Sequence, residues 1–160
     1  MAYWLFKSEP NCYSFADLQA EPSGSTGWDG VRNFQARNML RDQVQVGDRV
    51  FFYHSNAEPP GIAGVAEVVT AGHPDPTAFE PDHEHYDPKS IREKPVWYQV
   101  SIRALTAFDP PLSLPYLRTI PGLEKMELLR KGSRLSVQPV TADEWETVLS
   151  LADQPKTKTR

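Results

Sequence analysis

A chain of 160 residues with 39% hydrophobic residues has material for one domain and one modest core. Its formal net charge of -4 argues against non-specific coating of nucleic acid, a mode that needs many Lys and Arg contacts to phosphates. No apolar run approaches the roughly 20 residues of a membrane span, no charged-then-apolar leader precedes the first strand, and the single Cys12 rules out an internal disulfide. The expectation is a protein without membrane association that stays in a reducing cytoplasm.

Residues 2–7 (AYWLFK) are dense in aromatics without a helical period and predict a buried first strand ending at Ser8-Glu9-Pro10. Ser14 followed by Asp17 predicts a capped short helix to about Gln19, and a Pro/Gly/Ser loop fills 21–27. Residues 33–42 (NFQARNMLRD) predict a helix that Asn33 can cap, with Met39 and Leu40 inward. A hairpin follows from the β-rich runs 50–55 and 61–70. Residues 71–95, with five prolines and six acids, predict a long surface loop. The alternating run 97–105 predicts a third long strand, 114–118 and 123–130 two short helices, and 135–138 a last strand. Thr141 with Glu144 forms a capping box for a final helix to about Leu151. The expected unit is one domain over 1–152 with a polar tail over 153–160. Strands interrupted by short helices, without a βαβ rhythm, predict an α+β fold with a mixed, mostly antiparallel β-barrel flanked by short helices.

Charge is unevenly spread. Residues 66–93 carry seven acids against Lys89 and Arg92, whereas 114–136 carry five bases against Glu124 and Glu127. This permits a basic face for an anionic ligand, and equally an ordinary solvated surface. Catalytic constellations are not evident: adjacent strand residues His54 and Ser55 face opposite sides and cannot form a dyad. His83-Glu84-His85, with His73 and Asp82, is not a recognised ligand spacing, and no metal or cofactor is expected. Gly61–Gly64 (GIAG) lacks the third glycine of a dinucleotide loop. Binding signals are better. Trp28, between Gly27 and Gly30, reads as a stacking platform and Asn33 as a reader of a base edge or a plain helix cap. Arg32, Arg37 and Arg41 are either phosphate contacts or a solvated helix face.

The segments YWLFKSEP (3–10), YSFADL (13–18), WDGVRNFQARNML (28–40), GDRVFFYHSN (47–56), GIAGVAEVV (61–69), YDPKS (86–90) and MELLRKGSRLSVQPVT (126–141) closely resemble EVE-domain proteins, over residues 2–152. The resemblance implies a PUA-like barrel related to YTH, ASCH and PUA domains. It also implies a binding partner: RNA or DNA carrying a modified base, inserted into an aromatic pocket. On this resemblance Lys7 and Ser8 line the pocket mouth and Trp28 is the first cage aromatic. Asn33 reads the base and Ser55 and Asn56 border the pocket. Trp97, Ser136 and Gln138 are further walls, with barrel core the competing reading for Trp97. Arg32 is expected to reach phosphate. The start at the first strand, without the basic extension of eukaryotic relatives, resembles a bacterial form. A non-catalytic reader is the leading expectation. An enzyme or effector subunit acting on a modified nucleotide, using His54 or the 83–85 histidines, and a protein-interaction adaptor are the alternatives.

Overall fold

The computed structural model describes residues 1–152, so the expected polar tail over 153–160 lies outside the described residues. Six strands form one mixed sheet: β1 (Tyr3–Ser8), β2 (Thr26–Gly27), β3 (Arg49–His54), β4 (Gly61–Pro74), β5 (Tyr98–Ser113) and β6 (Val137–Val140), in the order β2-β5-β4-β3-β1-β6. Only β1 and β3 run parallel, in register from Tyr3 opposite Arg49 to Ser8 opposite His54; the other pairs are antiparallel.

Four helices cover this sheet: α1 (Phe15–Gln19), α2 (Phe34–Asp42), α3 (Leu114–Leu117) and α4 (Ala142–Ala152). Neighbouring strand residues point to opposite faces, and both faces are buried. Trp4, Phe6 and Phe52 pack with Phe15 and Leu18 of α1 and Met39 and Leu40 of α2. Leu5, Phe51 and Tyr53 pack with Leu117 of α3 and with Trp145 and Val148 of α4. This three-layer arrangement explains why β1 and β3 read as unbroken apolar runs. Each of the fully buried Phe6, Phe51 and Phe52 contributes about 1.5–3 kcal/mol of burial.

The mixed sheet and short helices match the expectation, but closure into a barrel does not. β2 and β6 are the two edges of the sheet and do not pair with each other. With two residues, β2 is too short to bridge the gap. Repeated register shifts along β4 and β5 bend the sheet without closing it. Three further expectations change. β5 continues to Ser113, well past Leu105. The helix expected over 123–130 is only a 3-10 turn at Glu127–Leu129. The acidic segment 71–95 is not all surface loop: β4 reaches Pro74, a 3-10 turn spans Pro76–Phe79, and Asp75 between them is fully buried. No helix among the described residues is long and apolar enough to cross a membrane.

Candidate functional site

The gap between the two sheet edges is a cleft of about 450 Å³, within the roughly 300–1,000 Å³ of small-molecule sites. One side is built by Lys7 and Ser8 at the end of β1 and by Ser136 just before β6. The other is built by Thr26 and Gly27 of β2 and the loop Trp28–Arg32. His83, Glu84 and His85 stand at its rim, and Tyr13 and Cys12 complete the lining.

Each wall has a local cause. The Lys7 N–H donates to Ser136 O at 2.9 Å, tying β1 to the approach of β6. The Ser8 hydroxyl donates to Tyr13 O at 2.6 Å, and the Tyr13 hydroxyl donates to Glu21 at 2.6 Å. Burial, then this bond to Glu21, pushes the Tyr13 phenol above its ordinary range, so it remains a neutral donor. Burial lowers the Lys7 ammonium from its ordinary value, with the Glu127 carboxylate working in the opposite direction.

The loop wall is held from behind by Asp75. Its Oδ2 accepts from the Gly30 N–H at 2.9 Å and from Arg32 Nη1 at 3.0 Å, while Oδ1 accepts from the Thr77 N–H at 2.8 Å and hydroxyl at 2.6 Å. Burial opposes ionisation of this carboxyl, but the bonds from Thr77, Gly30 and Arg32 outweigh it and hold the group below its usual range. Arg32 Nη2 then donates to His85 O at 2.6 Å, fastening the histidine rim to the loop. Gly30 has φ +78, and a Cβ there would collide with the His85 ring, so glycine serves both the left-handed backbone and the close approach.

Of the ten residues expected at the site, the structure brings five together in the cleft: Lys7, Ser8, Trp28, Arg32 and Ser136. Trp28, however, is 8% exposed and packs against Phe6 at 5.5 Å, Phe52 at 5.3 Å and Tyr13 at 6.5 Å. It lines the cleft with little of its ring open to a stacking partner. The other five lie elsewhere. Asn33 is exposed, and its Oδ1 accepts from the Ala36 N–H at 2.9 Å as the cap of α2. Ser55 and Asn56 follow β3 outside the lining, with Asn56 donating to Glu9. Trp97 is buried, stacks on Phe34 at 4.9 Å beneath Arg32, and donates to Asp87. Gln138 is 1% exposed and donates to Leu135 O. His54 accepts the Phe15 N–H on Nε2 at 3.1 Å, a structural task at the start of α1.

Asp29, Gly30, Asp75, His83 and His85 were not among the expected site residues. The spacing Gly27-Trp28-Asp29-Gly30 carried a signal of close backbone approach; the link from Asp29 to residues 83–85 is long-range and left none.

These features define an α+β protein whose single sheet leaves a polar, aromatic-backed cleft between its edges. The EVE domain matches residues 2–151, and the chain belongs to the EVE domain family. It is 41% identical to human thymocyte nuclear protein 1 over 169 residues, covering 96% of this chain and 75% of that protein. A protein of Pseudomonas syringae solved by X-ray crystallography superposes with a TM-score of 0.89 at 48% identity, covering 94% of this chain and 99% of that one. A crystal structure of human THYN1 protein in complex with 5-methylcytosine containing DNA superposes with a TM-score of 0.89 at 38% identity, covering 97% and 99%.

Proposed function

We propose that the cleft receives one modified base extruded from DNA, with 5-methylcytosine the first candidate, and that the protein reads this base without transforming it. The observation that carries the reading is the placing of an acceptor and a donor on the two sides of one small cleft. Asp29, on the β2 side, is an acceptor-only carboxylate, and Lys7, on the β1 side, is a donor-only ammonium. Cytosine bears an amino donor at one end of its pairing edge and a carbonyl acceptor at the other. In this arrangement Asp29 accepts from the exocyclic amine, as carboxylates do with cytosine, and Lys7 donates to the carbonyl. The methyl group and ring lie against Trp28 and Val31. The related human protein crystallised with 5-methylcytosine containing DNA supports the choice of base and of DNA.

Backbone phosphates belong outside the cleft. Lys131 and Arg134, both exposed on the approach to Ser136, supply positive charge beside the β1 wall. The chain's net charge of -4 fits a protein that binds one base deeply and few phosphates. The exposed Cys12 thiol on the lining suits a reducing compartment.

Fluorescence anisotropy with a labelled DNA oligonucleotide containing one 5-methylcytosine tests the reading, with an RNA counterpart as a second arm. Lys7→Met keeps the aliphatic stem and removes the donor, and is expected to weaken binding roughly 5- to 150-fold, the 1–3 kcal/mol of a good base contact. Mass spectrometry of the recovered oligonucleotide is expected to show it unchanged. Binding that is equal in wild type and Lys7→Met, or conversion of the base, contradicts the proposal. Trp28→Ala is a poor probe because the ring is part of the core, where such truncations cost about 3–5 kcal/mol.

A further inference from the structure

The rim of the cleft holds a cluster of which base reading uses Asp29 alone, leaving two histidines without a task. One ligand atom from each of Asp29, His83 and His85 lies within 4.8 Å of the others. Two come from the loop after β4 and one from the loop after β2, so the fold, not the sequence, assembles them. We propose that these three residues form a site for a divalent transition metal of the zinc class, and that its occupation closes the cleft by withdrawing Asp29 from the base.

The chemistry favours borderline metals. Two imidazoles and one carboxylate suit zinc or nickel, whereas magnesium and calcium prefer all-oxygen sets. His85 Nδ1 is buried without a hydrogen-bond partner and faces Asp29 Oδ2 at 3.7 Å. A metal ion supplies the partner this nitrogen lacks. The His83 and His85 rings are 4.9 Å apart at their centroids. Tetrahedral zinc with bonds of about 2.0–2.1 Å brings its ligand atoms to roughly 3.4 Å from one another. Rotation of the exposed Asp29 and the partly exposed His83 covers that difference.

The backbone beneath the cluster is already fixed. Arg32 holds His85 O, Asp75 holds both Arg32 and the Gly30 N–H, and Gly30 makes room for the His85 ring. His83 Nδ1 now accepts the His85 N–H at 3.0 Å; a metal on either ring nitrogen gives up this bond, by taking the Nδ1 lone pair itself or by leaving the proton on Nδ1 when it takes Nε2. His73 and Asp82, near these histidines in sequence, are not members: His73 Nδ1 lies 2.9 Å from Ala71 O and its Nε2 contacts Gln99.

The metal site stands on its own geometry; closure of the cleft rests on the base-reading proposal, and the experiment separates them. Zinc chloride is titrated into metal-free protein without DNA, by calorimetry and by NMR of the imidazoles. The expected result is one ion per chain, with His83 and His85 resonances shifted and those of His54 and His73 unchanged. His83→Asn, whose amide oxygen can still accept the His85 N–H, is expected to weaken zinc binding by at least about tenfold with unchanged thermal stability. Magnesium chloride is expected to shift nothing. Absence of zinc binding, equal binding by His83→Asn, or shifts centred on His73 overturns the site. In the second arm, zinc is expected to weaken oligonucleotide binding in wild type and not in His83→Asn. Equal loss in both proteins, or none in wild type, overturns the closure while leaving the zinc titration to decide the site.

Discussion

Asp75 offers the sharpest test of how the cleft is built. Replacing it by Ala removes the acceptor for two backbone N–H groups, at Gly30 and Thr77, together with the partners of the Arg32 guanidinium and the Thr77 hydroxyl. Hydrogen bonds to charged groups contribute about 1.5–3 kcal/mol each, and donors left buried without partners cost more than the bond was worth. The Arg32 share is discounted because its side chain is 25% exposed and can turn to water. The two amide bonds and the Thr77 hydroxyl, three bonds at that rate, then set a loss of roughly 4.5–9 kcal/mol, comparable to the 5–15 kcal/mol of a typical domain. Asp75→Asn separates shape from charge. Whichever way the amide turns, its NH₂ meets one of the two donor pairs, so a loss of about 2–3 kcal/mol is expected. Urea unfolding of the three proteins reads these differences directly through the midpoint at constant slope. A loss below about 1 kcal/mol for Asp75→Ala would refute the claim that this carboxylate organises the loop wall.

Two other perturbations test neighbouring parts of the account. Gly30→Ala, with φ +78 and a Cβ directed into the His85 ring, is expected to cost about 2–4 kcal/mol. Gly47→Ala, with φ +93 and open space around it, should cost only about 1 kcal/mol in the same urea assay. Burial lowers the pKa of His54, whose Nε2 must be unprotonated to accept the Phe15 N–H. The stabilising neutral form is therefore fully present above the unfolded pKa of about 6.5 and is lost as pH falls through the lower folded value. Urea midpoints taken between pH 7.5 and pH 5 should fall more in wild type than in His54→Asn; parallel curves would remove His54 from the acid response.

Local signals were readable and long-range ones were not. The capping boxes Ser14/Asp17 and Thr141/Glu144 carry both reciprocal bonds, because capping depends only on residues three apart. The burial of β1 was visible in its aromatic density, whereas 50–55 showed only a β-rich run. By contrast, β2 has too few residues to show a period, and it is one side of the cleft. Trp28 reads as exposed because glycines flank it, yet its ring inserts between Phe6 and Phe52. Asp75 looks like one more acid in an acidic, Pro-rich segment; only the fold brings Gly30, Arg32 and Thr77 to it. Asn33 had two readings in the sequence, base contact or cap, and its amide oxygen is engaged as the cap.

The central claim is that Asp29 selects a base with an exocyclic amine. Thymine matches 5-methylcytosine in its methyl group and carries a carbonyl in place of the amine, which turns the contact with Asp29 from attraction to repulsion. The decisive measurement is the affinity of wild type and Asp29→Ala for two DNA oligonucleotides that differ only in carrying 5-methylcytosine or thymine. Wild type is expected to prefer 5-methylcytosine by about 1–3 kcal/mol and Asp29→Ala to lose most of that preference. Equal affinity of wild type for the two bases, or an undiminished preference in Asp29→Ala, would contradict it.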